Sequence, residues 1–298
     1  MKTLAIGEVL WDIVDNQALL GGAPFNVAAH LARMGVESYL VSSIGKDNLG
    51  HKILETAGKM NVNTQYISIN EEKPTGTVDV FLQNGQPDYN INEDVAWDEI
   101  RLSPTHFDQI ISQSWDCVIF GSLAQRSKHN RILFKKLLPK IHSGEFFMDI
   151  NLRKRYFSRA VLQDSIDMAT ILKLNNDEVR EVSVLLFHAQ LTMDAFAARI
   201  QAEYQVPVIC ITLGEEGAIV YGESKIAAPG IPTNVEDTIG AGDSFSAAFI
   251  RSYLEKSDLA LAAEMGCMLG SFVASRSGAI PEYTQEVKKK LGILNSNN

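Results

Sequence analysis

Apolar positions along the chain follow two different periods. Short apolar runs at Thr3 to Gly7, Glu37 to Gly45, Cys117 to Gly121, Phe146 to Ile150, Ile171 to Leu174 and Val208 to Thr212 are bounded by turn formers or polar residues. Runs of this kind suit strands of a parallel sheet buried on both faces. Helical patterns separate them: Asp47 to Met60 reads as a helix, and Val27, Leu31 and Met34 line one face behind Pro24, with Gly35 as the stop. Strand and helix in turn predict a doubly wound, mostly parallel α/β sheet whose ligands bind at the carboxyl ends of the strands. Lys73 to Asn92 has another rhythm. Val78, Val80 and Leu82 alternate with Thr77, Asp79 and Phe81 before Asn84-Gly85, which predicts an antiparallel hairpin. Such a hairpin reads as a lid, an interface element or a plain sheet edge.

Composition narrows the class without deciding it. The 298 residues suffice for one large α/β domain with a small appendage, or for two domains, and a 46% hydrophobic and 21% charged content is that of an ordinary globular chain. A net charge of −9 argues against nucleic acid or an anionic membrane as partner. Cys117, Cys210 and Cys267 are far apart and odd in number, which fits neither a disulfide framework nor a metal site and favours a reducing, cytoplasmic setting. The apolar run after Lys2 is broken by Glu8 and Asp12, unlike a secretory leader, and no apolar stretch approaches the ~18 residues of a membrane helix. Only the tail Asn295 to Asn298 reads as frayed.

The candidate chemistry lies in Asp237-Thr238-Ile239-Gly240-Ala241-Gly242-Asp243, followed by a helical pattern through Phe245, Ala248, Phe249 and Tyr253. Glycines at a helix N-terminus give an anion site, since the first N–H groups lack intrahelical partners and the helix dipole adds to them. Asp243 at its rim either complements that dipole or takes the proton of a hydroxyl while phosphate is held beside it. Asn26, in the first turn behind Gly21-Gly22, is too far inside to be the cap and points to a ligand role. Asp149, Asn151 and Arg153 would share one side of an extended segment, with Arg153 free to pair with Asp149. Asn175 and Glu178, after Lys173, have the form of a capping box. Thr212-Leu213-Gly214-Glu215-Glu216-Gly217 reads as a turn between strands, and Leu261, Met265, Leu269 and Phe272 as a core stripe.

The Asp237 to Asp243 stretch resembles, without a gap, the Asp-Thr-x-Gly-Ala-Gly-Asp signature of the ribokinase-like (PfkB-type) sugar kinases. The resemblance runs from about residue 3 to 285 and implies a ribokinase-like sheet with a small β lid. On this resemblance residues 1–8, 24–70 and 98–298 form the catalytic domain, and 9–23 and 71–97 the lid, whose sheets pair two subunits in many family members. It implies Asp243 as catalytic base and Gly240, Ala241 and Gly242 as anion hole. Asp12, Gly22 and Asn26 become sugar contacts, joined by Arg153 and Asp149. Lys173, Asn175, Thr212, Gly214, Gly217, Gly242 and Gly266 become ATP-site residues, with Gly266 and Gly270 making room for adenine. Glu178 is implied near Mg2+ through water, and Asp237, with Ser275 to Gly278, at a monovalent cation such as K+.

Ribokinases have a lysine at the position of Ala23. Gly-Gly-Ala-Pro, the Asp-x-Asn-x-Arg at 149–153, Gly-Glu-x-Leu-Trp-Asp at 7–12 and Val95-Ala96-Trp97 together look most like bacterial fructokinases. The expectation is ATP-dependent phosphorylation of a primary hydroxyl of a small sugar, fructose first. A 2-keto-3-deoxygluconate kinase is the alternative, and a non-catalytic sugar- or nucleotide-binding regulator the reading from another class. A Gly-x-x-x-x-Gly-Lys-Ser/Thr loop and a Gly-x-Gly-x-x-Gly after the first strand are both missing, which removes a P-loop kinase and a Rossmann dehydrogenase.

Overall fold

The computed structural model describes residues 1–14, 17–83 and 86–293. Among these the strands are β1 (Lys2–Ile6), β2 (Leu10–Val14), β3 (Gln17–Gly21), β4 (Glu37–Gly45), β5 (Ile67–Asn70), β6 (Thr77–Gln83), β7 (Gln86–Ile91), β8 (Ser114–Gly121), β9 (His142–Asp149), β10 (Ile171–Asn175), β11 (Val208–Thr212), β12 (Gly217–Tyr221) and β13 (Lys225–Pro229). The helices are α1 (Ala23–Arg33), α2 (Asn48–Lys59), α3 (Pro104–Ser112), α4 (Lys128–Leu137), α5 (Arg159–Ile166), α6 (Asn176–Phe187), α7 (Met193–Tyr204), α8 (Ala241–Lys256), α9 (Leu259–Ala274) and α10 (Gln285–Lys290).

The large sheet has the order β13-β12-β11-β10-β9-β8-β1-β4-β5. Its strands are parallel except at one edge, where β11, β12 and β13 form antiparallel neighbours. Successive residues of a strand face opposite ways, and this sorts the core into two layers. Ala5, Cys117 and Ile119 pack with Phe25, Leu31, Phe249 and Leu269 on the side of α1, α8 and α9. Leu4, Ile6, Val118 and Phe120 pack with Phe134, Leu162, Val182 and Phe196 on the side of α3 to α7. Each fully buried Phe or Leu contributes about 1.5–3 kcal/mol, against about 0–1 for an exposed ion pair, so these two layers hold the fold together. The three cysteines are free and buried, and burial pushes each thiol above its ordinary pKa.

The second sheet has the order β3-β2-β6-β7. β2 runs antiparallel to β3 and parallel to β6, while β6 and β7 form the expected hairpin with Gln83 opposite Gln86. The Asn84-Gly85 turn of that hairpin and the tail Asn295 to Asn298 lie outside the described residues. Trp11 of β2 donates its indole N–H to the Leu49 carbonyl at 3.0 Å, tying the small sheet to α2. Because β2 and β3 are inserted between β1 and α1, the small sheet arises at the carboxyl edge of the large one.

Candidate active site

Among the described residues, every α-helix but two begins with a side chain that accepts a hydrogen bond from its first turn. Asp47, Ser103, Ser127, Ser158, Asn175, Thr192, Asp258 and Thr284 do this for α2 to α7, α9 and α10. The exceptions, α1 and α8, begin at Gly22 and Gly240 with no side-chain cap. Their first N–H groups are left for other partners. These two helices pack together, and their first turns meet where Asn26 Nδ2 donates to Asp243 Oδ2 at 2.7 Å.

Glycine is required at both starts. Gly22 has φ 107°, and a Cβ there would stand 2.5 Å from the Glu8 carbonyl oxygen. Gly240 has φ 75°, and a Cβ would fall 2.6 Å from Ala279. At α8 the Ala241 N–H is taken up by the Thr238 carbonyl at 3.2 Å, and the first helical bond is Ser244 to Gly240. Of the expected anion-hole trio, Ala241 is therefore already engaged, and Gly242 and Asp243 present the next N–H groups at the open end.

The carboxyl edge of the large sheet supplies the rest. β9 and β10 are parallel with Lys173 opposite Asp149, and the two side chains form a buried pair at 2.8 Å. Lys173 also lies against α8, its Nζ 3.2 Å from where a Gly242 Cβ would be. A positive charge thus sits beside the bare helix terminus, where it reinforces the attraction for an anion. Burial opposes the charged form of Lys173, but Asp149, Glu178 and Asp243 together outweigh it and the pKa is raised. Asp149 Oδ1 and Asn26 Oδ1 are buried and have no hydrogen-bond partner among the described residues. Acceptors in that condition are costly unless something with a hydroxyl or N–H reaches them.

Acidic groups dominate the neighbouring wall. Asp12 Oδ2 lies 2.5 Å from where a Gly21 Cβ would be, so a side chain at position 21 would displace it. Burial pushes Asp12 up to about 6, with Arg153 opposing and Asp243 adding to the rise. Burial likewise raises Asp243, against the Asn26 hydrogen bond. Glu8, which the sequence reading takes as a break in an apolar run and as part of the stretch at 7–12 but gives no role at the site, is buried just beyond β1, faced by the Ala23 N–H at the bare start of α1. Burial first, and then the charge of Asp243, push it up to about 7. An acid closing a buried strand just before a small-sheet insertion is the signal that would have found it.

Other expectations are corrected. Arg153 does not pair with Asp149, which pairs with Lys173 instead; Arg153 is exposed and acts on Glu8, Asp12 and Asp243 through charge. The 149–153 segment is not extended throughout, because Asn151 turns to φ 41° and ends the shared face. At Gly266 a Cβ would lie 2.7 Å from the Phe245 ring, so glycine there lets α9 approach α8. Gly217 is fixed by a φ of 102° and by the Ala228 carbonyl 2.2 Å from where its Cβ would be, a backbone requirement of the β12–β13 edge.

Asn175 and Glu178 form the capping box in full, at 2.9 and 2.8 Å, and the second Glu178 oxygen accepts the Leu152 N–H at 2.7 Å. Burial raises the Glu178 pKa, with Asp149 adding to it. Thr212 lies opposite Asn175 at the same sheet edge, and Gly214 follows in an exposed turn. Asp237 accepts from the Ile239 and Gly278 N–H groups at 2.9 and 3.2 Å, joining the glycine turn to the 275–278 loop. Among the described residues no three His, Cys, Asp or Glu side chains converge as a metal site. No helix among them is long and apolar enough to cross a membrane.

An uncapped helix start beside a buried lysine and a carboxylate, without a P-loop, at the carboxyl edge of a mostly parallel sheet fits a phosphotransferase. The sequence model of the pfkB family carbohydrate kinases matches residues 8–285, and the chain belongs to that family. A putative sugar kinase of Pyrococcus horikoshii is 32% identical over 249 residues, covering 81% of this chain and 75% of that protein. The nucleoside kinase of Methanothermobacter thermautotrophicus is 28% identical over 280 residues (91% and 84%), and the fructokinase of Escherichia coli 26% over 263 residues (84% and 83%). The crystal structure of an uncharacterized sugar kinase from Pyrococcus horikoshii in complex with ATP superposes with a TM-score of 0.76 at 26% identity, covering 94% of each chain. The chain is a pfkB-family carbohydrate kinase with the ribokinase-like fold.

Proposed function

We propose that this kinase transfers the γ-phosphoryl group of ATP to a primary hydroxyl of a small neutral sugar, with D-fructose as first choice and fructose 6-phosphate as product. The observation that carries the reading is the Asn26–Asp243 hydrogen bond at the junction of two uncapped helices. One helix start is suited to the sugar and the other to the phosphoryl group. Asp243 steers the acceptor hydroxyl and takes its proton, while the Gly240 to Asp243 backbone and Lys173 stabilise charge on the moving phosphoryl. The transition state is loose, so a carboxylate of even ordinary basicity serves and the raised Asp243 pKa adds to its fitness.

Asp12, Gly22, Asn26 and Asp149 hold sugar hydroxyls in this reading, and Arg153 faces the same space. Asn175, Thr212, Gly214 and the Gly242 backbone hold ATP. Magnesium on the ATP phosphates supplies neutralisation of their charge; Glu178, whose oxygens both already accept backbone N–H groups, would meet it only through water. Asp237 and the 275–278 loop would take a potassium ion. Residues 9–23 and 71–97 act as the lid that excludes water, and that sheet, with Leu19 exposed, pairs two subunits. Three buried free thiols fit a reducing cytoplasm.

The surplus of carboxylates over cations near Asp243 disfavours an anionic sugar. A 2-keto-3-deoxygluconate kinase is the second reading, favoured by Arg153. ADP release against ketoses, aldoses, nucleosides and sugar acids, with and without potassium, tests both. Fructose turning over no faster than the others overturns the first choice.

A further inference from the structure

Four residues after Asn26, and therefore on the same face of α1, stands His30. It is fully buried and makes two hydrogen bonds, at 2.6 Å to the Tyr283 hydroxyl from Nδ1 and at 3.0 Å to the Ala279 carbonyl from Nε2. A carbonyl only accepts, so Nε2 carries the proton, and Nδ1 accepts from the tyrosine O–H. One turn further on, Arg33 donates to the Pro281 carbonyl, pairs with Glu282 and lies over the Tyr283 ring. Phe272 of α9 meets that ring edge-on. The 279–283 segment is thus fastened to α1 by two side chains.

The same segment is the wall behind the phosphate site. A Cβ at Gly240 would lie 2.6 Å from Ala279 Cα and 2.8 Å from its carbonyl oxygen, the oxygen that His30 holds. Helix α1 therefore grips the first turn of α8 twice: Asn26 binds Asp243 directly, and His30 fixes the backbone against which Gly240 rests. No catalytic step uses His30 or Tyr283, yet both are buried polar groups matched to each other and to Ala279.

We propose that His30 and Tyr283 are positioning residues that set the anion hole, a proposal that rests on the kinase reading for the role of Gly240. Loosening the clamp lets Ala279 withdraw, and the Gly240 turn loses its fixed φ. The nucleotide end of the site suffers; the sugar end, held by Asn26 and the small sheet, does not. A displacement of about 1 Å in such a support lowers turnover by up to about a hundredfold.

The test uses the full chain and three variants. Tyr283→Phe removes only a hydroxyl; His30→Phe keeps a ring but loses both hydrogen bonds; His30→Gln retains an N–H able to reach Ala279. Tyr283→Phe and His30→Phe are expected to lower kcat and weaken ATP binding, measured by calorimetry without sugar, about tenfold or more, leaving the sugar KM near its wild-type value. In the double variant the two losses are expected not to add, because one bond serves both, and His30→Gln is expected to recover much of what His30→Phe loses. Folded Tyr283→Phe protein with wild-type kcat and ATP affinity overturns the proposal, even where His30→Phe fails to fold. Equal losses in sugar KM and ATP affinity overturn it too, since a merely structural defect spreads to both ends. Because ATP affinity is read without turnover, wild-type protein inactive on every sugar defeats the functional reading while leaving the clamp decidable.

Discussion

Two helices of the same layered sheet begin in opposite ways. At α6 the Asn175 side chain and Glu178 satisfy each other's backbone N–H groups, and a third N–H, from Leu152, fills the remaining carboxylate oxygen. At α8 the equivalent position is Gly240, with a left-handed backbone and no side chain to spend. The α6 terminus is closed by the protein itself; the α8 terminus leaves N–H groups and positive dipole for whatever arrives. Among the described residues eight α-helices are capped by side chains and two are left bare, so the chain has not run out of caps. The two exceptions converge on one spot, and the convergence makes the site.

The comparison breaks most directly at Asp243. Asp243→Asn is expected to fold, to bind ATP and to lose about 10²–10⁴ or more in turnover, because base and positioning go together; near-normal ADP release from that variant removes the assigned role. Gly240→Ala comes next. It combines a strained φ with a clash at Ala279, and a loss of about tenfold to a hundredfold in kcat together with a lower melting temperature is expected.

Glu8, at the bare start of α1, gives a pH test. Its pKa in the folded protein is raised from 4.5 to about 7, so the native state holds a proton that the unfolded chain has released. Stability therefore declines as pH rises from 4.5 to about 7 and levels off above. Glu8→Gln removes this decline, and thermal melts at pH 8 should show it more stable than wild type by about 3 kcal/mol, with the difference vanishing near pH 4. A difference independent of pH refutes the buried neutral acid. The smallest effect belongs to the closed terminus: Asn175→Ala should cost about 1 kcal/mol in denaturant unfolding, the ordinary worth of a cap, with a modest rise in ATP KM. A large drop in kcat there would erase the contrast between α6 and α8.

Much of the fold was legible in the chain because each signal is local. Buried apolar runs, the Pro24 start of α1 and the alternation on either side of Asn84-Gly85 need no partner to be recognised. The Gly240 to Asp243 motif and Asn26 were legible for a related reason: glycines at a helix start, and an asparagine too deep to be the cap, are anomalies within one turn. Pairings across the sheet were not. That Lys173 rather than Arg153 meets Asp149 depends on the register of β9 with β10, and the close approach of Phe245 to Gly266 depends on how α8 and α9 pack. Glu8 shows the same limit, since its burial is a property of α1 and the sheet edge closing over it. His30 looks like one polar residue in an amphipathic helix until residues 279–283 come back beside it.

The three thiols have a practical consequence. A cysteine reacts as its thiolate, and Cys117, Cys210 and Cys267 are all enclosed and held protonated. Alkylating reagents and mild oxidants should therefore leave the native protein alone, so one cysteine introduced on the small sheet and another on α8 would carry fluorescent labels without background, and the distance between them would show whether the two move relative to each other.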